Sequence, residues 1–300
     1  MDEIKKKIKE ERTNIKDNSL NAYLSNIKRI FKDVFDNEIN IKKFNQFIKV
    51  KNYLDGLNSA TRKNIMTSII VLLKAYDINK NTLKKYEKYF EEIVVNFENN
   101  YDNQQKSEKE QKNWITKDEL DHKINDLEKN INKMNLKELT KTNKDIIQQH
   151  LILKLYTDIP PVRNDYAQMK VYYNKNIKGE NYIDLTTKKI ILNNYKTDKT
   201  YGEKQIDLNE NIIKLIKRWI NITGNEYLLI NIRDENPMTS NGLTKYINKI
   251  FKPKKVSTTI LRKLYLSDKY PVIHNIKDMK KDAYIMGHSI STQQSIYRKK

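Results

Sequence analysis

Between Glu98 and Asn113 the chain reads ENNYDNQQKSEKEQKN, a polar run with no apolar period. A stretch of that composition has too little to bury and reads as a linker, so it divides the chain into two parts that must each build a core. Before it, apolar residues recur at helical spacing: Leu20, Tyr23, Leu24, Ile27, Ile30, Phe31 and Val34, then Phe44, Phe47, Ile48 and Leu54. Ile65, Ile69, Leu72, Leu73 and Tyr76 follow, and Leu83, Tyr86, Phe90, Ile93 and Val94 complete the series. These stripes predict a bundle of about four helices over residues 17–97. Residues 1–16, MDEIKKKIKEERTNIK, carry mostly charge and predict a solvated, weakly periodic helix or N-terminal arm.

The second part, residues 114–300, mixes periods. Thr116 and Glu119 form a capping box for a helix, and helical spacing continues through Leu136–Leu139 and Ile146–Tyr156, with a loop as the alternative in the highly charged region Glu128–Lys144. A two-residue period then takes over in Val171–Tyr173, Tyr182–Leu185, Lys189–Leu192 and Lys204–Leu208, predicting a small antiparallel sheet. Helices return with Ile212–Trp219, Leu243–Phe251, Ser257–Tyr265 and Asp278–Ile285. The expected class is mainly α with a small antiparallel β-sheet, in two domains joined at 98–113.

Charge narrows the partner. Lys and Arg number 58 against 38 Asp and Glu, a net charge of +20 with a pI near 9.6, which favours a polyanion. Nucleic acid is the first candidate and an anionic membrane the second. No apolar run approaches the ~20 residues of a membrane span, and the N-terminus lacks the apolar core of a signal peptide, so a soluble intracellular protein is expected. Without cysteine there is no disulfide, iron–sulfur cluster or thiolate nucleophile. The four histidines, His122, His150, His274 and His288, never fall at helical i,i+3 or i,i+4 spacing, so neither a metal nor a cofactor is expected.

Several segments carry candidate chemistry. Thr157-Asp158-Ile159-Pro160-Pro161-Val162-Arg163-Asn164-Asp165 ends a helix at its paired prolines. Arg163 is thereby predicted at the start of a new short helix, where anions bind, with Asp165 to buttress it. The turn Asn194–Gly202 presents Lys196 and Lys199. Arg262 falls beside Ile260, Leu261 and Leu264 in a helix, a costly place for a cation unless it is paired or aimed at an anion. Met286-Gly287-His288-Ser289 opens a short polar segment that ends at Tyr297, nine positions after His288. A phenol is an uncommon but real covalent nucleophile. Arg62 and Lys63, off the apolar face of their helix, are candidates for phosphate contact.

Taken in order, Arg163, a hairpin lysine, Arg262, His288 and Tyr297 resemble the tyrosine recombinase (phage integrase) family, including its viral and mobile-element members. Pro-Val-Arg-Asn-Asp resembles the first-arginine box, Thr-Ile-Leu-Arg the box usually written His-x-x-Arg, and Gly-His-Ser with the distant tyrosine the third. The resemblance implies a helical core-binding domain before an α+β catalytic domain, and DNA strands cut and rejoined through a 3′-phosphotyrosyl link. Tyr297 would be the nucleophile, Arg163, Arg262 and His288 the phosphate ligands, and Lys196, with Lys199 as second choice, the general acid. It also implies a monomer in solution that assembles as a homo-oligomer, a tetramer, on double-stranded DNA, the two domains gripping the duplex between them. Two features depart from the family. Thr259 stands where a His or Lys is usual, and the chain ends soon after Tyr297, so contacts between protomers are expected to come from elsewhere than a further C-terminal helix. The alternatives are a type IB topoisomerase, disfavoured by the helical first domain, and a catalytically inactive DNA-binding module.

Overall fold

The computed structural model describes residues 1–102, 106–135, 138–270 and 276–297, without the side chains of 97–102 and 276–277. The chain divides into two compact units, Met1–Asn103 and Gln104–Lys300. No described helix is long and apolar enough to cross a membrane.

The first unit holds helices α1 (Asp2–Glu11), α2 (Asp17–Phe35), α3 (Phe47–Asp55), α4 (Ser59–Ala75) and α5 (Lys80–Asp102). The apolar stripes of α2, α4 and α5 meet around Phe31, Phe44 and Tyr86, whose rings pack edge to face at about 6 Å. The Tyr86 hydroxyl, buried by this packing, donates to the Phe44 carbonyl at 2.9 Å. One expectation fails here: the charged N-terminus is no free arm. Ile4 and Ile8 of α1 are fully buried in the same core, so two apolar residues one turn apart suffice to dock a helix otherwise made of charged residues.

The predicted linker is largely structured. α5 runs on to Asp102, and Glu108–Asn113 forms α6 of the second unit, started by a capping box between Ser107 and Glu110. Glu110 also pairs with the buried Lys263, and Asn113 accepts from the Lys255 backbone at 2.7 Å. Of the proposed linker, only 103–105 lie outside the described residues.

The second unit continues with α7 (Lys117–Asn132), capped by Thr116 and Glu119, and α8 (Lys141–Thr157). The helix expected over Leu136–Leu139 is absent at its described end, 138–139, and its start lies outside the described residues. Strands β1 (Lys170–Tyr172), β2 (Tyr182–Asp184), β3 (Lys189–Leu192) and β4 (Lys204–Asp207) lie in sequence order, the last three antiparallel. β1 pairs with β2 in parallel, so the sheet is mixed rather than antiparallel. The connection 173–181 turns back through left-handed residues at Asn174 and Gly179, which returns the chain to the same end of the sheet. A short helix α9 (Asp198–Tyr201) fills the β3–β4 turn, and α10 (Glu210–Thr223), α11 (Ser240–Ile250), α12 (Thr258–Lys269), α13 (Ile276–Met286) and α14 (Ile290–Thr292) complete the unit.

Two buried tyrosines prepare the site. Tyr156 and Tyr166 pack edge-on at 5.3 Å; the first donates to the carbonyl of Arg163 and the second to that of Leu155. They bind the segment after the paired prolines to the end of α8.

Candidate phosphate-transfer site

No helix starts at Arg163; residues 163–168 are bends and turns. The double proline stops α8 but leaves no run of free backbone donors to continue it, so the anticipated helix dipole plays no part. Asp165 instead accepts from the Arg163 backbone N–H at 3.2 Å and holds the turn. Burial raises its pKa despite the pull of Arg163 and Arg262.

Both arginine forks close on one turn at the end of α13. Arg163 donates from Nη1 to the Met286 carbonyl at 3.2 Å and from Nη2 to Gly287 at 3.4 Å. Arg262, only 1% exposed, donates from Nη2 to the same Met286 oxygen at 2.8 Å, from Nε to Pro161 at 3.2 Å and from Nη1 to the Tyr297 hydroxyl at 3.1 Å. An arginine this deep is tolerable because each nitrogen group has a partner.

Gly287 makes that turn possible. At φ +71° it ends α13 in a left-handed cap, its N–H bonding to Tyr284 and that of His288 to Ala283. A Cβ here would lie 2.8 Å from Thr197 Oγ1, 3.0 Å from Arg163 Nη1 and 3.6 Å from Lys204 Nζ, so only glycine fits. The same cap aims His288, whose ring stacks on that of Tyr297 at 4.7 Å and 19°. Ser289 caps α14, and a π-helical turn over Gln293–Tyr297 brings the phenol back to Arg262. Such turns are frequent at functional sites.

Electrostatics follow from this packing. Burial pushes the Tyr297 phenol up, but Arg262 and Arg163 more than offset it, leaving the pKa below the ordinary tyrosine value. His288 contacts the Ser289 carbonyl through Nδ1 at 3.1 Å. A carbonyl only accepts, so Nδ1 carries the proton, and the buried Nε2 has no partner. Burial, with the cations Arg262, Arg163 and Lys204, lowers the His288 pKa to about 4. A histidine depressed this way favours the folded state fully above its ordinary pKa near 6.5, and that contribution is lost as pH falls toward 4. The difference is on the order of 3 kcal/mol. Urea unfolding near pH 5 and pH 7 should therefore show a steeper acid loss in wild type than in His288→Phe, and parallel losses would remove this account.

The structure thus brings together Arg163, Asp165, Arg262, His288 and Tyr297. It leaves others outside the buried cluster. Lys196 and Lys199 are exposed on the β3–β4 turn, and Thr259 is exposed in the first turn of α12. Lys263, next to Arg262, turns to Glu110 instead. In the first unit Arg62 is half-buried, its guanidinium bonded to the Asp55 and Leu57 carbonyls and paired with the Asp55 carboxylate, so it closes the end of α3 rather than standing free for phosphate. Lys63 is partly buried beside it.

One charged residue escaped the sequence reading. Lys204 is fully buried, donates to the Tyr284 carbonyl, and lies 4.5–4.9 Å from the ring centres of Tyr195, Tyr201 and Tyr284. Burial and the neighbouring Arg163 lower its pKa to about 8. The signal was present: the alternation of β4 puts Lys204 on the inward face with Ile206. Among the described residues, no cluster of acidic or histidine side chains could hold a metal ion.

A helical unit followed by a unit of helices around a small mixed sheet is the layout of the integrase fold, and the chain has that fold. Solved structures of the Tn1549 transposon integrase match it throughout. In complex with transposon right end DNA, that integrase superposes with a TM-score of 0.61 at 16% identity, over 99% of this chain and 94% of the integrase chain. Bound to a circular intermediate DNA, it gives 0.60 at 16% identity with the same coverage. No family profile and no curated protein matches the sequence.

Proposed function

We propose that this chain is a site-specific DNA recombinase of the integrase kind, cutting and rejoining duplex DNA through a phosphotyrosyl intermediate. The observation that carries the proposal is the convergence of Arg163 and Arg262 on one carbonyl oxygen while Arg262 also holds the Tyr297 hydroxyl. The Met286 and Gly287 carbonyls stand where the non-bridging oxygens of a scissile phosphate would sit. Planar bidentate forks suit that group, and they strengthen as charge builds on it. The +20 charge and the DNA-bound integrases of like fold support duplex DNA as substrate.

In this reaction the Tyr297 oxygen attacks phosphorus and its proton passes to solvent, helped by the two arginines that stabilise the phenolate. The bond to the 5′-oxygen breaks, leaving the phosphate esterified to Tyr297. A lysine of the hairpin supplies the proton that makes the leaving group a 5′-hydroxyl. Lys196 fits this role because its side chain is exposed and can follow the DNA, whereas Lys204 is locked between three rings. His288 takes up a proton when the phosphate brings negative charge beside it, and then donates from Nε2. The reverse attack by a 5′-hydroxyl rejoins the strand without added energy. Protomers would meet on the DNA rather than in solution.

Trapping tests the nucleophile. Wild type incubated with nicked duplexes drawn from the DNA flanking its gene, then stopped with SDS, should carry a covalent DNA adduct that Tyr297→Phe lacks. An adduct that survives in the variant would assign the chemistry to another residue.

A further inference from the structure

The Thr197 hydroxyl, beside Gly287 and Arg163, is a group to which the reaction above gives no role. It is shielded from solvent, has no hydrogen-bond partner and does not cap α9, although its own carbonyl accepts from Thr200 and Tyr201 and so fixes the backbone there. Buried hydroxyls are nearly always bonded, and an exception calls for a reason. Here the reason is position. A Cβ on Gly287 would meet Thr197 Oγ1 and Arg163 Nη1 together, with Lys204 just beyond. Among the described residues at that turn, the Met286 and Gly287 carbonyls receive the arginine forks and the Tyr284 carbonyl receives Lys204 and the Gly287 N–H, and none is bonded to the Thr197 hydroxyl.

We propose that Thr197 is a catalytic residue whose hydroxyl donates to a non-bridging oxygen of the scissile phosphate once that phosphate displaces the Met286–Gly287 carbonyls. The proposal rests on the strand-transfer reading above. A phosphate oxygen has more lone pairs than a carbonyl and a negative charge, so it can accept from Arg163 and Thr197 at once. The contact would also seat the turn that carries Lys196, the adjacent residue, against the same phosphate. A neutral donor is thereby supplied from the hairpin, while Thr259, at the position where related boxes carry histidine, lies exposed on α12.

The test compares Thr197→Val, which keeps the shape and removes the hydroxyl, with Thr197→Ser, which restores it. Because the hydroxyl has no partner in the free chain, Thr197→Val should unfold in urea no earlier than wild type; a marked loss of stability would mean a structural partner and overturn the proposal. On the DNA trapped by wild type, single-turnover adduct formation by Thr197→Val should fall by about 10²-fold, with Thr197→Ser much closer to wild type. DNA affinity should hardly change. The two methylphosphonate stereoisomers at the scissile position then locate the contact, since each replaces one non-bridging oxygen with a methyl group. In the isomer that lacks the oxygen Thr197 touches, wild type and Thr197→Val should react alike, and the other isomer should keep the gap. A gap equal in both isomers, or no gap on ordinary phosphate, overturns the assignment. A folded wild type that forms no adduct with any flanking duplex brings down the strand-transfer reading itself, a failure visible before any Thr197 variant is compared.

Discussion

Arg262→Met should slow covalent adduct formation by about 10³-fold or more, because losing a single oxyanion donor already costs 10²–10³. Arg262 does two jobs. On the proposed strand-transfer reading its Nη2, now on the Met286 carbonyl, would bind a phosphate oxygen, and its Nη1, bonded to the Tyr297 hydroxyl, would hold the attacking phenol. The second job has its own signature. Burial alone raises the Tyr297 pKa, and Arg262 is the largest of the opposing effects, ahead of Arg163. With Arg262 gone the phenol should therefore titrate higher, and the pH–rate profile should move to higher pH in the same direction. Tyrosinate absorbance of wild type against Arg262→Met, each referenced to its Tyr297→Phe partner, reads the shift directly. Methionine fills much of the vacated volume and Met286 keeps its donor from Arg163, but the Pro161 carbonyl loses the Arg262 Nε donor, a cost of about 1–3 kcal/mol for an unsatisfied group. Urea unfolding must accompany the kinetics so that lost stability is not read as lost chemistry. A variant that reacts within tenfold of wild type would remove Arg262 from the site.

The site was legible because its residues break local rules in a fixed order. Arg262 on an apolar helix face, a double proline before Arg163 and a glycine before His288 each need an explanation that packing alone does not supply. The glycine proves the strongest of these, since its left-handed cap both turns the chain and leaves room for Arg163 and Thr197. What stayed hidden depends on contacts between distant segments. The parallel pairing of β1 with β2 cannot be read from a two-residue period, which is the same for either direction. The N-terminal helix looked solvated because only Ile4 and Ile8 carry its apolar face. Composition argued for a linker at 108–113, yet the Ser107 capping box and the Glu110–Lys263 pair fold it onto the second unit. Lys204 was visible in the alternation of β4, but a lysine at an inward position reads as a turn residue until its aromatic surroundings are known.

Lys196 and Lys204 make a sharper prediction, because chemistry separates a proton donor from a fixed charge. If Lys196 protonates the leaving 5′-oxygen, Lys196→Ala should slow cleavage by about 10²–10⁴-fold, the range expected for general acid catalysis. Replacing the bridging 5′-oxygen with sulfur should then restore the rate nearly to that of wild type, because a thiolate, unlike an alkoxide, leaves without a proton near neutral pH. Lys204 should behave otherwise. Its Nζ is committed to the Tyr284 carbonyl inside a cage of three tyrosines, beside Arg163, where it adds positive potential without the freedom to follow a leaving group. Lys204→Met should therefore slow oxygen- and sulfur-leaving substrates by the same factor. Single-turnover cleavage of matched oxygen and sulfur duplexes by the two variants decides the matter. Rescue of Lys204→Met instead would make the buried lysine the acid, and its pKa of about 8 would then become the reason for its choice, since a general acid works best when its pKa lies near the operating pH.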